Sequence, residues 1–125
     1  MSKIRILALP VDREPYITNI ENSLRDMQDF IGGYIEDETI LQDPEVVLVC
    51  DEEGVLNNRA LNPSLPDLDE YGGLLGSGFV LGDCFLCGGD GEKFADIPDK
   101  WESILLKLAQ EAYRKHKEAC CHEDT

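Results

Sequence analysis

Four side chains towards the C-terminal end of the sequence have spacings that zinc ligands commonly show. Cys84 and Cys87 are separated by two residues, and His116 and Cys120 by three. These four residues define one hypothesis, a zinc-stapled structural module. A Cys-x-x-Cys within a strand, however, directs its two thiols to opposite faces, and two small core residues explain the same pattern. We therefore predict no bound metal and no cofactor.

Asn58 and Arg59 form a second candidate site. Arg59 is the only base between Arg25 and Lys93. Its guanidinium could hold a phosphate or a carboxylate through two parallel hydrogen bonds, and the Asn58 amide could recognise a polar edge of the same ligand. This interpretation predicts a binder of a small anionic metabolite or nucleotide signal. The other interpretation is an internal ion pair between Arg59 and a nearby carboxylate, which would fix the loop.

The acidic surface is a third candidate. The chain of 125 residues has 26 acids and 11 bases, a formal net charge of −15, and no base interrupts the ten acids from Asp26 to Glu53. Direct binding to nucleic acid or to an anionic membrane needs a positive surface, so we predict neither. The charge favours a host protein with a basic surface as the partner, although acidity also serves solubility. The candidate ligand- or partner-binding residues are Asn58, Arg59, Glu52, Glu53, Tyr34 and Glu36.

Side chains suited to catalysis are few. Both histidines, His116 and His122, lie at the end of the chain, away from the glycine-rich segment 76–82. The spacing of those glycines differs from a dinucleotide-binding fingerprint, and we predict that the protein is not an enzyme. The odd number of cysteines, five, predicts reduced thiols. Lys3 and Arg5 occupy positions that would be apolar in a signal peptide, so we expect a cytoplasmic location.

Hydrophobic periodicity predicts the elements that position these residues. The capping-box pattern Thr18-x-x-Glu21 begins a helix over 18–31, and Gly32-Gly33 ends it. The other predicted elements are strands over 3–9, 34–41, 46–50, 78–87 and 92–97, hairpin turns at 51–54 and 88–91, an irregular loop over 57–73, a helix over 99–118 and a frayed tail over 119–125. The order predicts one α+β domain over 1–118, with a mostly antiparallel sheet of four to five strands and two helices packed on one face.

Four short motifs follow one another along the chain. They are Gly32-Gly33-Tyr34-Ile35-Glu36, Asp51-Glu52-Glu53-Gly54, Asn58-Arg59-Ala60-Leu61 and Gly76-Ser77-Gly78-Phe79-Val80-Leu81-Gly82. In this order they resemble a family catalogued as a domain of unknown function, with short members in bacteria, phages and mobile elements. The resemblance covers about residues 3–97, and the family usually has Asn at the position of Asp51. It implies a small accessory protein and no known activity.

Together these features predict a non-enzymatic acidic binding protein. In this hypothesis a phage or mobile element encodes the protein, and its acidic surface contacts a host protein. Nucleic-acid mimicry is one form of the hypothesis, because a DNA duplex about 30 Å long carries roughly 18 charges, a number comparable with the net charge of −15. The small-ligand binder at Asn58 and Arg59 and the zinc-stapled module are the alternatives.

Overall fold

The protein forms an antiparallel sheet with two helices. The computed structural model describes residues 2–53, 60–65, 68, 82–91 and 93–123, with side chains as far as Glu118. The elements are β1 (Lys3–Leu9), β2 (Tyr16–Glu21), α1 (Leu24–Ile31), β3 (Ile35–Leu41), β4 (Val46–Asp51), β5 (Cys84–Asp90), β6 (Lys93–Ala95) and α2 (Asp99–Glu123). The strand order is β2-β1-β5-β4-β3, with β6 paired to β5, so the α+β fold is confirmed and the sheet has six strands.

The centre of the sheet follows directly from the apolar run in the sequence. All six side chains of β4 are buried, and so are the first five residues of β5. Strands that carry apolar side chains at consecutive positions are buried on both faces. The prediction of a doubly buried strand over 46–50 is confirmed, and this strand lies between β5 and β3.

The segment predicted to begin the first helix is a strand. Tyr16–Glu21 pairs with β1 over its whole length, for example through Thr18 opposite Ile6. β-branched residues such as Ile17, Thr18 and Ile20 favour a pleated surface, and the free edge of β1 provides it. The capping-box prediction is therefore wrong. The helix N-cap is Ser23, whose side chain accepts a hydrogen bond from the amide of Asp26.

The two helices pack on opposite faces of the sheet rather than on one. The Phe30 ring of α1 meets the Phe85 ring edge-on, with centroids 5.6 Å apart, and Phe85 is the cross-strand partner of Ala8. Arg5 bonds to Glu102 of α2 with Nε 2.5 Å from Oε1. Side chains alternate along a strand, so Arg5 and Ala8 point to opposite faces. The sheet is therefore the middle layer between α1 and α2.

The C-terminal part of the chain differs from the prediction at two places. Gly88 and Gly89 belong to β5 instead of a turn, and a side chain on Gly88 would collide with the Asp96 carbonyl oxygen. The turn is at Gly91, which has a φ of +68°. Helix α2 extends to Glu123, beyond the predicted end at 118. Within the described ranges, no helix is long and apolar enough to cross a membrane.

Candidate functional site

The strand ends that carry the sequence motifs lie together along one side of the sheet. Neighbouring strands are antiparallel, so β1 and β4 end where β2, β3 and β5 begin. Register confirms this, because Leu9 is opposite Cys84, and Ile35 is opposite Asp51. We call this the motif edge and define it by Leu9, Tyr16, Ile35, Asp51 and Cys84.

The motifs that are separated in the sequence come together at the motif edge. The Glu52 amide donates a hydrogen bond of 2.9 Å to the Tyr34 carbonyl, which joins the first motif to the second. The Gly82 amide donates a bond of 2.7 Å to the Ala60 carbonyl, which joins the third motif to the fourth. Residues 54–59, with the predicted site residues Asn58 and Arg59, lie outside the described part of the chain.

A buried carboxylate shapes the acidic part of this edge. Asp51 is 6% exposed, and its Oδ1 accepts a bond of 2.8 Å from the Glu53 amide. A Cβ on Gly33 would lie 3.2 Å from the same oxygen, so a residue without a side chain allows the close approach. Gly32 has a different role. It is the C-cap of α1 and has a left-handed backbone conformation, with φ of +84°. The sequence pattern predicts only a helix end at both glycines and does not predict the contact between Gly33 and Asp51.

Four of the six predicted partner-binding residues lie together here. Tyr34 is 65% exposed, and it borders a shallow cleft of about 430 Å³ with Gln28, Asp29 and the two glycines. Glu36 and Glu52 are exposed, and Glu53 is half-buried. Backbone pairing between β3 and β4 brings this exposed aromatic residue and the three glutamates to the same part of the sheet. We call Tyr34, Glu36, Glu52 and Glu53 the acidic corner.

The buried thiol of Cys50 lies beside Glu36 of the acidic corner. Burial, followed by the charges of Glu36, Glu38 and Asp51, raises the pKa of Cys50 to about 12. The Cys50 Sγ also donates a weak hydrogen bond of 3.7 Å to Glu36 Oε1. A neighbouring negative charge disfavours a thiolate. The same charges attract a cationic group that approaches the acidic corner from solvent.

Asn62 is a structural residue of the motif edge that is absent from the predicted site residues. It is 5% exposed, and its Nδ2 donates bonds of 2.7 Å to the Leu9 carbonyl and 2.9 Å to the Gly82 carbonyl. Its Oδ1 accepts a bond of 2.8 Å from the Ser64 amide. Asn62 therefore ties segment 60–65 to the ends of β1 and β5. The pair Asn62-Pro63 is a turn signal that could have drawn attention to it.

A comparison with family models identifies the family. A model described as a domain of unknown function (DUF3846) matches residues 4–110. The chain belongs to this family. The DUF3846 match spans β1 to the middle of α2, which confirms the resemblance to an uncharacterised family. No curated protein and no solved structure matches the chain.

Cys84 and Cys87, two of the four residues in the zinc hypothesis, do not converge. Cys84 and Cys87 both lie within the DUF3846 match, but they point to opposite faces of β5, so they cannot hold one ion together. His116 is exposed on α2 beyond the match, and the side chain of Cys120 lies outside the described part. No group of three or more potential metal ligands occurs among the described residues.

Proposed function

We propose that this member of the DUF3846 family is a non-enzymatic cytoplasmic accessory protein that binds a partner with a basic surface through its acidic corner. The observation that carries the proposal is Tyr34, a large aromatic side chain that is 65% exposed and whose backbone carbonyl accepts a hydrogen bond from the Glu52 amide. Tyrosine is one of the residues that most often dominate the energy of protein interfaces. The resemblance to proteins of phages and mobile elements supports a host protein as the partner.

The negative charge of the protein also supports a partner with a basic surface. Glu36, Asp37 and Glu38 are consecutive on β3, an edge strand of the described sheet. Charges that line one surface accelerate the encounter with a partner of opposite sign and exclude partners of like sign. With a net charge of −15, the protein as a whole adds to this attraction. A basic protein that normally binds nucleic acid has the complementary surface.

The decisive experiment is capture of the partner from a host lysate with site-specific variants as bait. Tyr34→Ala is expected to weaken binding of the captured protein about thirtyfold or more, which corresponds to about 2 kcal/mol for an interface hot spot. Leu24→Ala is the matched control, because Leu24 is 61% exposed on α1 and lies outside the acidic corner. Equal loss of binding in both variants, or in neither, would contradict the proposal.

Salt and charge variants test the electrostatic part separately. The screening length falls from about 10 Å at 0.1 M salt to about 3 Å at 1 M, so affinity is expected to decrease steeply over this range. Replacing Glu36, Glu52 and Glu53 together by Gln is expected to weaken binding and flatten the salt dependence. Glu111→Gln, on the exposed face of α2, is the control. Competition by duplex DNA for the partner would support nucleic-acid mimicry, and absence of competition would restrict the proposal to protein recognition.

A further inference from the structure

Two buried cysteines from distant parts of the sequence oppose each other across β4 and β5. The antiparallel register places Leu48 opposite Leu86 and Val49 opposite Phe85. The same register, continued one step further along both strands, places Cys50 opposite Cys84. Both residues belong to their strands, and cross-strand partners point to the same face of a sheet.

The direction of the backbone N–H and C=O groups of Cys50 shows whether Cys50 and Cys84 form a hydrogen-bonded or a non-hydrogen-bonded pair. The Glu52 amide bonds to the Tyr34 carbonyl of the neighbouring strand segment. Backbone groups two residues apart point the same way, so the groups of Cys50 are also directed to β3, where Glu36 is its partner. Towards β5, Cys50 therefore occupies a position without backbone hydrogen bonds.

The direction of β1 gives the same result for Cys84. The Arg5 carbonyl accepts a bond from the Ile97 amide on the side of β1 that faces β5. Leu9, four residues along β1, has the same direction, and it is opposite Cys84. The backbone groups of Cys84 are thus directed to β1 and away from β4. Non-hydrogen-bonded antiparallel pairs have Cα atoms about 4.5 Å apart, inside the range of about 4.4–6.8 Å that a disulfide needs.

We infer that Cys50 and Cys84 are an oxidation site that closes to an intramolecular disulfide between β4 and β5. With a peroxide as oxidant, the Cys50 thiolate attacks one peroxide oxygen to form a sulfenic acid and releases the other oxygen as water after protonation. The Cys84 sulfur then displaces the sulfenic oxygen as a second water and forms the S–S bond. Two thiols and one hydrogen peroxide give one disulfide and two waters.

Exposure sets the order of the two steps. Cys50 is 7% exposed and Cys84 is fully buried, so the oxidant reaches Cys50 first. Both thiols have other contacts in the reduced protein, since Cys50 Sγ lies 3.7 Å from Glu36 Oε1 and Cys84 Sγ lies 3.5 Å from Asn62 Nδ2. Each side chain therefore rotates towards the other before the bond forms.

Cys87 provides an internal control. It lies three residues after Cys84 on β5 and points to the opposite face. It is opposite Val47 in the register, so Cys50 is out of its reach. Among the three cysteines whose side chains the structure describes, only Cys50 and Cys84 are opposite each other in the register of β4 and β5.

The test is oxidation of the full chain followed by peptide mapping. The reduced protein is treated with hydrogen peroxide, free thiols are alkylated in acid, and the digest is analysed by mass spectrometry. We expect a linked peptide pair containing Cys50 and Cys84. The link should persist in Cys87→Ser and be lost in Cys50→Ser. Because thiolate is the reactive form and the pKa of Cys50 is raised to about 12, the reaction should be slow at neutral pH, and its rate should rise by up to about tenfold per pH unit.

Two outcomes would overturn the inference. One is recovery of Cys50 and Cys84 as alkylated thiols or as sulfinic acids after complete oxidation of an added model dithiol. The other is a disulfide that joins either residue to a different cysteine or to a second chain. Circular dichroism of Cys50→Ser before oxidation, and of Cys84→Ala as a second variant, verifies that loss of the link reflects loss of a sulfur and not of the fold.

Discussion

The centre of the sheet and the acidic corner differ in chemistry, although β4 leads from one to the other. In the centre, Phe85 and Leu48 are fully or almost fully buried, and Phe85 packs against a helix on one face. In the acidic corner, at the end of the same sheet, Tyr34 is 65% exposed, and Glu36 and Glu52 are exposed as well. The centre determines whether the chain folds, and the corner has side chains that folding does not need. Substitutions should therefore separate stability from binding.

The largest effect on stability is expected in the centre of the sheet. Phe85→Ala removes a fully buried ring and its edge-on contact with Phe30. Buried Phe-to-Ala changes lower the free energy of unfolding by about 3–5 kcal/mol. Urea denaturation should show this loss. Leu24→Ala, an exposed control, should stay within about 0.5 kcal/mol of the parent protein. Similar effects of the two substitutions would contradict the placement of Phe85.

Asn62→Ala tests the connection between the two regions. The change leaves the Leu9 and Gly82 carbonyls without their side-chain donor. A buried polar group without a partner costs about 1–3 kcal/mol, and we expect a loss of this size in urea denaturation. Asn62→Asp keeps an oxygen for the Ser64 amide but removes both donated bonds. It should therefore be no more stable than the alanine variant, and full stability of either variant would refute the anchoring role.

Alkaline pH should weaken the centre through its cysteines. Burial raises the pKa of Cys50 and of Cys87 to about 12, and that of Cys84 well above its usual value. Unfolded thiols titrate near pH 8.5, so above this pH the unfolded chain loses protons that the folded chain keeps. The free energy of unfolding should then fall by about 1.4 kcal/mol per pH unit for each thiol. Cys87→Ala should flatten the slope, and an unchanged slope in that variant would contradict the prediction.

The start of α1 gives a smaller effect that distinguishes the structure from the sequence-based prediction. Ser23 caps the helix that leads to the acidic corner, and Ser23→Ala should lower the free energy of unfolding by about 1 kcal/mol. Thr18→Val is the comparison, because Thr18 lies in β2, where a β-branched residue is favourable. Thermal unfolding of both variants is the measurement. A larger loss of stability in Thr18→Val than in Ser23→Ala would support a helix that begins at residue 18.

The smallest effect on stability is expected in the acidic corner. Glu52→Gln removes a charge from an exposed residue, and such changes usually alter the free energy of unfolding by no more than about 0.5 kcal/mol. Because other carboxylates are close, we expect the substitution to raise the free energy of unfolding slightly at low salt. Melting temperatures at low and high salt measure this. A clear loss of stability would show that the charge is structural and would weaken the distinction between corner and centre.

The sequence predicts those elements whose pattern is local. The apolar run 46–50 and the stripe that includes Trp101 and Leu105 identify β4 and α2 without knowledge of the rest. The sequence pattern misplaces the start of the first helix, because Thr18 and Glu21 satisfy a capping pattern. Their conformation is determined instead by pairing with β1. That pairing depends on residues elsewhere in the chain.

The candidate site could be predicted in part. Tyr34, Glu36, Glu52 and Glu53 were selected by type and motif, and the structure places them together. Their convergence depends on the register of β3 against β4, which a search for motifs does not include. The roles of Gly33 and Asn62 depend on contacts with residues 18 and 53 positions away in the chain, which no local pattern contains. Asn58 and Arg59 remain predictions.

The acids of β3 also have a consequence for the protein at high concentration. β3 is the last strand on its side of the described sheet, and Glu36 and Asp37 are exposed there. Since successive side chains alternate, one carboxylate lies on each face of the strand. A second molecule that added its own β3 along this edge would place like charges next to each other on both faces. Natural sheets use such charges to prevent growth into fibrils, so the carboxylates suited to a basic partner also oppose polymerisation.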